Sequence, residues 1–381
     1  MITQWIWQQP DWPDFNWQAE RLAPLLRECV QAQGQLMGMA GSVGNSLSAQ
    51  TELDALLQNI VTSSAIEGEQ LNVGSVRSSL ARRLGLELPD SDKVSQRSEG
   101  LAQLMLDATR RFAEPLTLER LLEWHRWLFP DQESDFTARS MHVGALRGDE
   151  PMQVVSGRLD RPTVHFEAPA RQGLERQVDK FLTWFEASQH QTALDPLLRA
   201  GIAHFWFVTL HPFDDGNGRL TRTITDLALA QGEAQAIRFY AMSASILDDR
   251  NGYYRVLEAS QKATLDVTQW LTWFLQTLLR SLQQAIARIE SVLGKTRFWQ
   301  AHRETELSME QSKVLNRLLD GGERGFEHGI SAAQYQAEAK VSKATATRHL
   351  AELLEKGYLQ RMPGGGRSTR YKINYPDNSS N

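Results

Sequence analysis

The sequence predicts a mainly α-helical protein, with a helical core interrupted by one β-hairpin and a small basic C-terminal domain of three helices and a β-ribbon. Three observations predict it. Apolar residues recur at helical spacing through much of residues 19–129 and again over 174–289. Residues 140–170 read differently, with short β-prone runs on either side of a polar stretch. Composition and charge then change near residue 300.

The first 17 residues hold four of the 11 tryptophans, Trp5, Trp7, Trp12 and Trp17. Pro10 and Pro13 oppose helix there, so the expectation is an irregular segment pinned by aromatic burial. The alternative, a membrane-surface role, needs a basic face that the segment lacks. From Ala19 to about Met39, the residues Leu22, Leu25, Leu26, Cys29 and Val30 mark one helix. A Gly/Ser-rich turn, Gly41 to Ser46, leads to a second helix marked by Leu53, Leu56, Leu57 and Ile60 and ending near Gly68. Residues 84–97 read as a polar connection, with helices beyond it near 98–113 and 117–129. MQVVSG (152–157) and TVHFEA (163–168) predict two strands joined by the polar stretch from Arg158 to Arg161. Helical periodicity then runs from Leu174 to about Ile289, with breaks at 190–195 and 211–218.

From Leu307 onward there are 11 Lys+Arg against 8 Asp+Glu. Within Lys340–Lys372, eight basic residues face two acidic ones, Glu352 and Glu355. SMEQSKVLNRLLDG, ISAAQYQAEAK, SKATATRHLAELLEKG and YLQRMPGGGRSTRYKIN read as helix, helix, helix and β-wing.

A hydrophobic fraction of 41% and a charged fraction of 23% exclude a chain disordered throughout. No stretch approaches 18 uncharged apolar residues, so no membrane helix is expected. The start MITQWIWQQPDWPDF lacks a basic region and an apolar run, so secretion is not expected. One cysteine, Cys29, excludes an internal disulfide and a cysteine-cluster metal site, and a reducing cytoplasm is the expected location. The net charge of −5 speaks against the whole molecule as a polyanion binder but leaves room for a local basic patch.

The chemistry is concentrated in HPFDDGNGRLTR, from His211 to Arg222. The apolar run FWFVTL before it places His211 at the end of a buried helix, which Pro212 helps to stop. Phe213 can anchor the turn. Asp214 and Asp215 put carboxylates in the loop. Gly216, Asn217 and Gly218 permit tight backbone and close approach to a ligand. A helix beginning near Arg219 aims its free N–H groups and dipole into the loop, an anion site. Arg219 and Arg222 share one face of that helix. A histidine base, a hard-metal carboxylate, an anion nest and two guanidiniums are what a Mg²⁺-bound polyphosphate and a nucleophile beside it require. There is no GxxxxGK[ST] and no HExxH, which leaves P-loop and zinc-peptidase readings without a motif.

HPFDDGNGRLTR resembles the full signature of the Fic (Fido) family, and the resemblance extends over roughly residues 115–275. It takes in LEWHRWLF (122–129), GALR (144–147), the hairpin and DDRNGYYRVLEASQ (248–261). The start of the chain is similar to the subgroup with an aromatic-rich leading segment and an inhibitory helix. The resemblance implies a Fic-type helical core with a β-hairpin flap and transfer of AMP from MgATP to a Ser, Thr or Tyr hydroxyl of a protein, with release of pyrophosphate. It implies His211 as general base, Asp215 as Mg²⁺ ligand, and Gly216, Asn217 and Gly218 as the anion hole at the α-phosphate. Arg219 and Arg222 would hold the distal phosphates, with Leu220 and Thr221 between them in the nucleotide-binding stretch, and Tyr253, Tyr254 and Gln261 would lie near the nucleoside. The hairpin resembles the flap that aligns an extended target segment. The chain would divide into 1–114, with the inhibitory helix; 115–277, the Fic core; 278–306, a connecting helix; and 307–376.

SSAIEG (63–68) matches the family's inhibitory pattern through Ser63, Glu67 and Gly68. That resemblance implies that Glu67 pairs with Arg222 and competes with the γ-phosphate of ATP. In some relatives the same glutamate supports removal of AMP, and the sequence leaves the dominant direction open. Residues 307–376 resemble a winged helix-turn-helix, with Lys343 and Arg348 on its third helix and Arg361, Arg367, Arg370 and Lys372 on its wing. DNA contact and protein docking both stay open for it. So does a second reading of the whole chain, a nucleotide-sensing transcriptional regulator, and so do UTP, GTP or a CDP-linked donor in place of ATP. The implied partners are a protein substrate, the chain itself as a target, and a second copy in a homodimer.

Overall fold

A computed structural model describes residues 5–42, 45–88, 92–130, 141–158, 161–235, 239–262, 264–303, 306–320, 326, 329–363 and 369–375. They are mainly helical, as the apolar spacing predicts, and fall into two compact units, Met1–Ala285 and Ile286–Asn381.

The first unit is built around the helix PLLRAGIAHFWFVTL, α7 (Pro196–Leu210), which is buried at every position from Leu197 to Leu210. A helix apolar on all sides has no face to give to water and belongs in the centre. Pro196 opens its first turn, and Asp195 caps it by accepting the Leu197 N–H at 2.8 Å. α8 (Asn217–Glu233) packs along it and is buried from Arg219 to Gln231. Around this pair lie α1 (Ala19–Ser42), α2 (Asn45–Ile66), α3 (Val73–Leu84), α4 (Gln96–Arg110), α5 (Leu118–Leu128) and α6 (Leu174–Ser188). α9 (Met242–Asp248), α10 (Arg250–Gln261) and α11 (Thr268–Ala301) follow. The helical run expected over 174–289 therefore has further breaks. Ala234 closes α8 in the left-handed conformation at φ 50°, and Asp249 caps α10 by accepting the Gly252 N–H.

The apolar spacing does not mark α3. Its buried face carries Ser75, Ser78 and Ser79 beside Val76 and Leu80. Ser75 accepts the Ser95 N–H, Ser78 accepts the Asp92 N–H, and Ser79 donates to Glu99 at 2.6 Å. A helix that buries hydroxyls against a neighbouring loop shows no apolar stripe. α2 is fixed more deeply: its Asn59 donates to Asp226 of α8 at 2.6 Å and accepts the Ser243 N–H of α9 at 3.1 Å.

The hairpin forms as expected, with the pairing running on to Arg158 and Arg161. β1 (Gln153–Arg158) pairs antiparallel with β2 (Arg161–Glu167), with an irregularity between Val154 and Val155. The middle of the expected turn, residues 159 and 160, lies outside the described residues. The aromatic N-terminal segment packs on the hairpin's base. Trp5 meets Phe166 edge-on at 5.4 Å, and Trp7 donates its indole N–H to the Glu167 carbonyl at 2.7 Å. Trp12 and Phe15 pack against Trp206 of α7.

The second unit contains α12 (Met309–Asp320), α13 (Ala332–Ala339) and α14 (Lys343–Glu355), then an antiparallel ribbon of β3 (Leu359–Arg361) and β4 (Tyr371–Ile373). Phe298, Val314, Leu315, Ile330, Tyr335, Leu350 and Tyr358 form its core. Lys343, Arg348, Arg361 and Lys372 are exposed. Arg370 instead turns inward and donates to the Gly329 carbonyl at 2.9 Å. Arg367 lies outside the described residues.

Candidate active site

The site forms where α7 ends and α8 begins. His211 takes the left-handed conformation at φ 48°, ψ 57°, and its ring is turned back so that Nδ1 lies 2.9 Å from the Val208 carbonyl. A carbonyl can only accept, so Nδ1 carries the proton and Nε2 is left as the basic nitrogen. Burial pushes the His211 pKa down; the Val208 bond and the charge of Glu67 push the other way, and the net is below the usual histidine value. The ring is therefore neutral near pH 7 and available as a base.

The loop is stapled from within. Asn217 accepts the Phe213 N–H at 2.9 Å and donates to the Phe213 carbonyl at 2.7 Å. Its side chain is spent on the loop, so only its backbone N–H is free to serve an anion. Gly216 stands at φ 80°, where a Cβ would come within 2.7 Å of Leu128 and 2.9 Å of Phe129. Its own N–H is taken by Asp215. The first-turn N–H groups of α8 have no partner within the helix. The two neighbouring carboxylates separate in role. Asp214 accepts from the backbone and ring of His142 and from the Gly148 N–H, anchoring the loop. The Asp215 side chain is 63% exposed. An exposed carboxylate beside the first-turn N–H groups of α8 fits Mg²⁺, which takes one or two carboxylates and completes its shell with phosphate oxygens and water.

His211, Asp215, Gly216, Asn217 and Gly218 line one cavity of about 680 Å³ together with Glu67, Tyr253, Tyr254 and Gln261. Tyr253 is 2% exposed, and its hydroxyl lies 3.0 Å from His204 Nε2, so it is first a core residue. Tyr254 is 36% exposed with the Arg250 guanidinium over its ring. Gln261 donates to Thr209. The hairpin forms the facing wall: His165 of β2 lies 2.9 Å from Glu258 of α10, and Val154, Val155 and Ser156 of β1 join it. Leu220 and Thr221 are fully buried, and their side chains do not reach the cavity.

Arg222 is buried and reaches Glu67. Its Nη2 donates to Glu67 Oε1 at 2.8 Å and to the Ser63 carbonyl at 2.9 Å, while Nε donates to Ser63 Oγ at 2.8 Å. Its Nη1 is buried with no hydrogen-bond partner among the described residues. Burial is the largest single influence on Glu67 and would raise its pKa, but the charge and hydrogen bond of Arg222, joined by the charges of Arg219 and His211, together outweigh it and hold the carboxyl below its usual range. Gly68, at φ 83°, ends the segment. Arg219 is engaged elsewhere, by Glu69 at 2.6 Å.

Two supports lie outside the motif. Arg147, 2% exposed, donates Nε to the His211 carbonyl at 2.9 Å and Nη2 to the Pro169 carbonyl, and its own N–H bonds the Pro212 carbonyl. His125 is fully buried and stacks on Phe213 at 4.3 Å. Its Nδ1 accepts the Gly144 N–H at 2.9 Å, and its Nε2 therefore donates to the Asp215 carbonyl at 3.2 Å. Burial lowers its pKa to about 4, which keeps that pairing in place at neutral pH. The sequence places both residues in the resembling segments, LEWHRWLF and GALR, but gives no sign that they hold the loop.

Residues 115–229 match the model of the Fic/DOC family, and residues 5–86 match a domain of unknown function, DUF4172. The chain is 25% identical over 245 residues to the protein adenylyltransferase Fic of Drosophila virilis, covering 60% of this chain and 46% of that protein. It thus spans about half the length of the curated relatives it matches. A Fic family protein from Desulfovibrio desulfuricans G20 has a similar fold, with a TM-score of 0.52 at 19% identity, over 92% of this chain and 95% of that one. A Fic domain-containing signaling protein from Bacteroides thetaiotaomicron gives a TM-score of 0.51 at 18% identity, over 69% and 97%. The loop and helices that build this cavity lie within residues 115–229 in large part, and through them the chain carries a Fic/DOC-family domain.

Proposed function

We propose that this chain is a protein adenylyltransferase, moving AMP from MgATP to a Ser, Thr or Tyr hydroxyl of a protein, and that Glu67 holds it in check. The observation that carries this reading is a neutral His211 whose Nε2 has no hydrogen-bond partner among the described residues, in one cavity with the N-terminus of α8.

His211 Nε2 takes the proton of the target hydroxyl as its oxygen bonds to the α-phosphorus, and the bond from that phosphorus to pyrophosphate breaks. The first-turn N–H groups of α8 face the charge that grows on the α-phosphate. Asp215 would hold Mg²⁺, which when bound neutralises phosphate charge. The hairpin presents the edge of β1 or β2 for an extended target segment. Arg222 would bind the terminal phosphate once Glu67 leaves it. While Glu67 stays, nucleotide is displaced, and a displacement of about 1 Å costs roughly 100-fold in rate.

The test is incorporation of label from α-³²P ATP into protein by wild type, Glu67→Gly and Glu67→Gly/His211→Ala with Mg²⁺. Label should depend on His211 and be strongest in Glu67→Gly. Equal label in Glu67→Gly and in the variant lacking His211 would overturn the assignment of the base.

A further inference from the structure

The segment that leaves α2 carries a second carboxylate, and it too sits on a signature arginine. Past the left-handed turn at Gly68, Glu69 Oε2 accepts from Arg219 Nη1 at 2.6 Å. The same carboxylate takes the fork of Arg97 from α4, with Nε–Oε1 at 2.9 Å and Nη2–Oε2 at 2.7 Å. Both guanidiniums also lie over one ring, Phe129, at 5.4 Å for Arg97 and 5.1 Å for Arg219. Two cations are thus held side by side by a common ring and a common anion. The cost shows in Arg219, whose pKa is lowered first by burial and next by the charge of Arg97. Arg219 is 7% exposed, and its Nε has no hydrogen-bond partner among the described residues. A second cavity of about 500 Å³ opens beside the pair, lined by Arg97, Arg219, Phe129, Glu69 and Glu67. Asp215 and Glu67 line both this cavity and the one that holds His211.

Resting on the adenylyl-transfer reading, we propose that Arg97 joins the two signature arginines in binding the terminal phosphates of a nucleoside triphosphate, beside Arg219, and that Glu69 masks this part of the subsite. A carboxylate that accepts the fork of Arg97 and one bond from Arg219 stands where a phosphate's oxygens would be taken. The inhibitory segment then closes two arginines at once, Glu67 on Arg222 and Glu69 on Arg219. Arg97 becomes a phosphate-binding residue contributed from outside the signature.

The test is calorimetric binding of ATP and of AMP, with Mg²⁺, to the full chain as Glu67→Gly, Glu67→Gly/Glu69→Gln and Glu67→Gly/Glu69→Gln/Arg97→Ala. Glu69→Gln should tighten ATP about tenfold and Arg97→Ala should loosen it again about tenfold, the size of one charge-assisted contact. AMP, which lacks the terminal phosphates, should bind all three alike and so reports that the fold is intact. ATP affinity indifferent to both changes, or AMP affinity moving with it, would overturn the subsite and leave Glu69 a structural clip. Absence of any adenine-nucleotide binding in all three would instead overturn the adenylyl-transfer reading, and this proposal with it.

Discussion

Gly218 offers a sharp test of the Glu67–Arg222 contact, because one substitution there should change sign with its background. A Cβ at Gly218 would stand 2.1 Å from Glu67 Oε1, 3.1 Å from its carboxyl carbon and 3.2 Å from Arg222 Nη1. The first overlap is impossible, so Gly218→Ala must drive the Glu67 carboxylate off Arg222. That forfeits a charge-assisted hydrogen bond worth about 1.5–3 kcal/mol. Against it, alanine replaces glycine in the first turn of α8, a gain of about 0.5–1 kcal/mol. The net in wild type is a loss of roughly 1–2 kcal/mol. In Glu67→Ala the carboxylate is gone and only the helix gain remains, so the same substitution should stabilise. The milder contact with Arg222 is present in both backgrounds and cancels in the cycle. The coupling is about 1.5–3 kcal/mol, or roughly 3–6 °C in melting temperature for a unit of this size. Four melting curves, for wild type, both single variants and the double variant, measure it. Additive shifts would show that Glu67 does not occupy the space over Gly218, and the brake geometry would be wrong.

Two further outcomes follow from the site. The charge of Glu67 raises the His211 pKa against burial, so Glu67→Ala should lower it further, as read from the imidazole proton shifts by NMR. Because the folded pKa lies below the unfolded one, the unfolded chain binds more protons between the two values, and stability there rises with pH, more steeply in the variant; an upward shift of His211 would refute this. Arg147→Met should leave the buried carbonyls of His211 and Pro169 without their donor, at a cost on the order of 2–4 kcal/mol in stability. In the Glu67→Gly background it should cut the rate of label transfer about 10–100-fold with ATP affinity unchanged, and an unaltered rate would remove Arg147 from any part in positioning the base.

The parts of this protein that the sequence discloses are those whose signal is local. His211 to Arg222 is one turn between two helices, and its residue types follow from backbone geometry and charge within twelve positions. The apolar helices and the alternating hairpin are local too. Arg97 and Glu69 are not: they meet across 28 positions in the chain, and each taken alone is an ordinary charged residue on a helix or turn. Arg147 is equally silent, since an arginine that spends its donors on two backbone carbonyls leaves no partner residue to notice. α3 escapes because serines line its inner face. Leu220 and Thr221 show the converse: the motif is contiguous in sequence, while these two side chains are buried and do not line the cavity. Asn217 belongs to the motif for a reason the pattern alone does not state, the stapling of Phe213.

α2 is welded to the core by Asn59, whose amide joins Asp226 of α8 and the start of α9, and this constrains how Glu67 could ever leave Arg222. The helix cannot swing aside as a body without tearing out those buried amide bonds. Release has to come from its last turn alone, where Ile66 gives way to Glu67 and the left-handed Gly68. Helix ends open at far lower free energy than helix middles. On the proposed reading, release of Arg222 would then be a matter of fraying at one helix end. A partner need grip only the few residues beyond Ser63 to hold the frayed form.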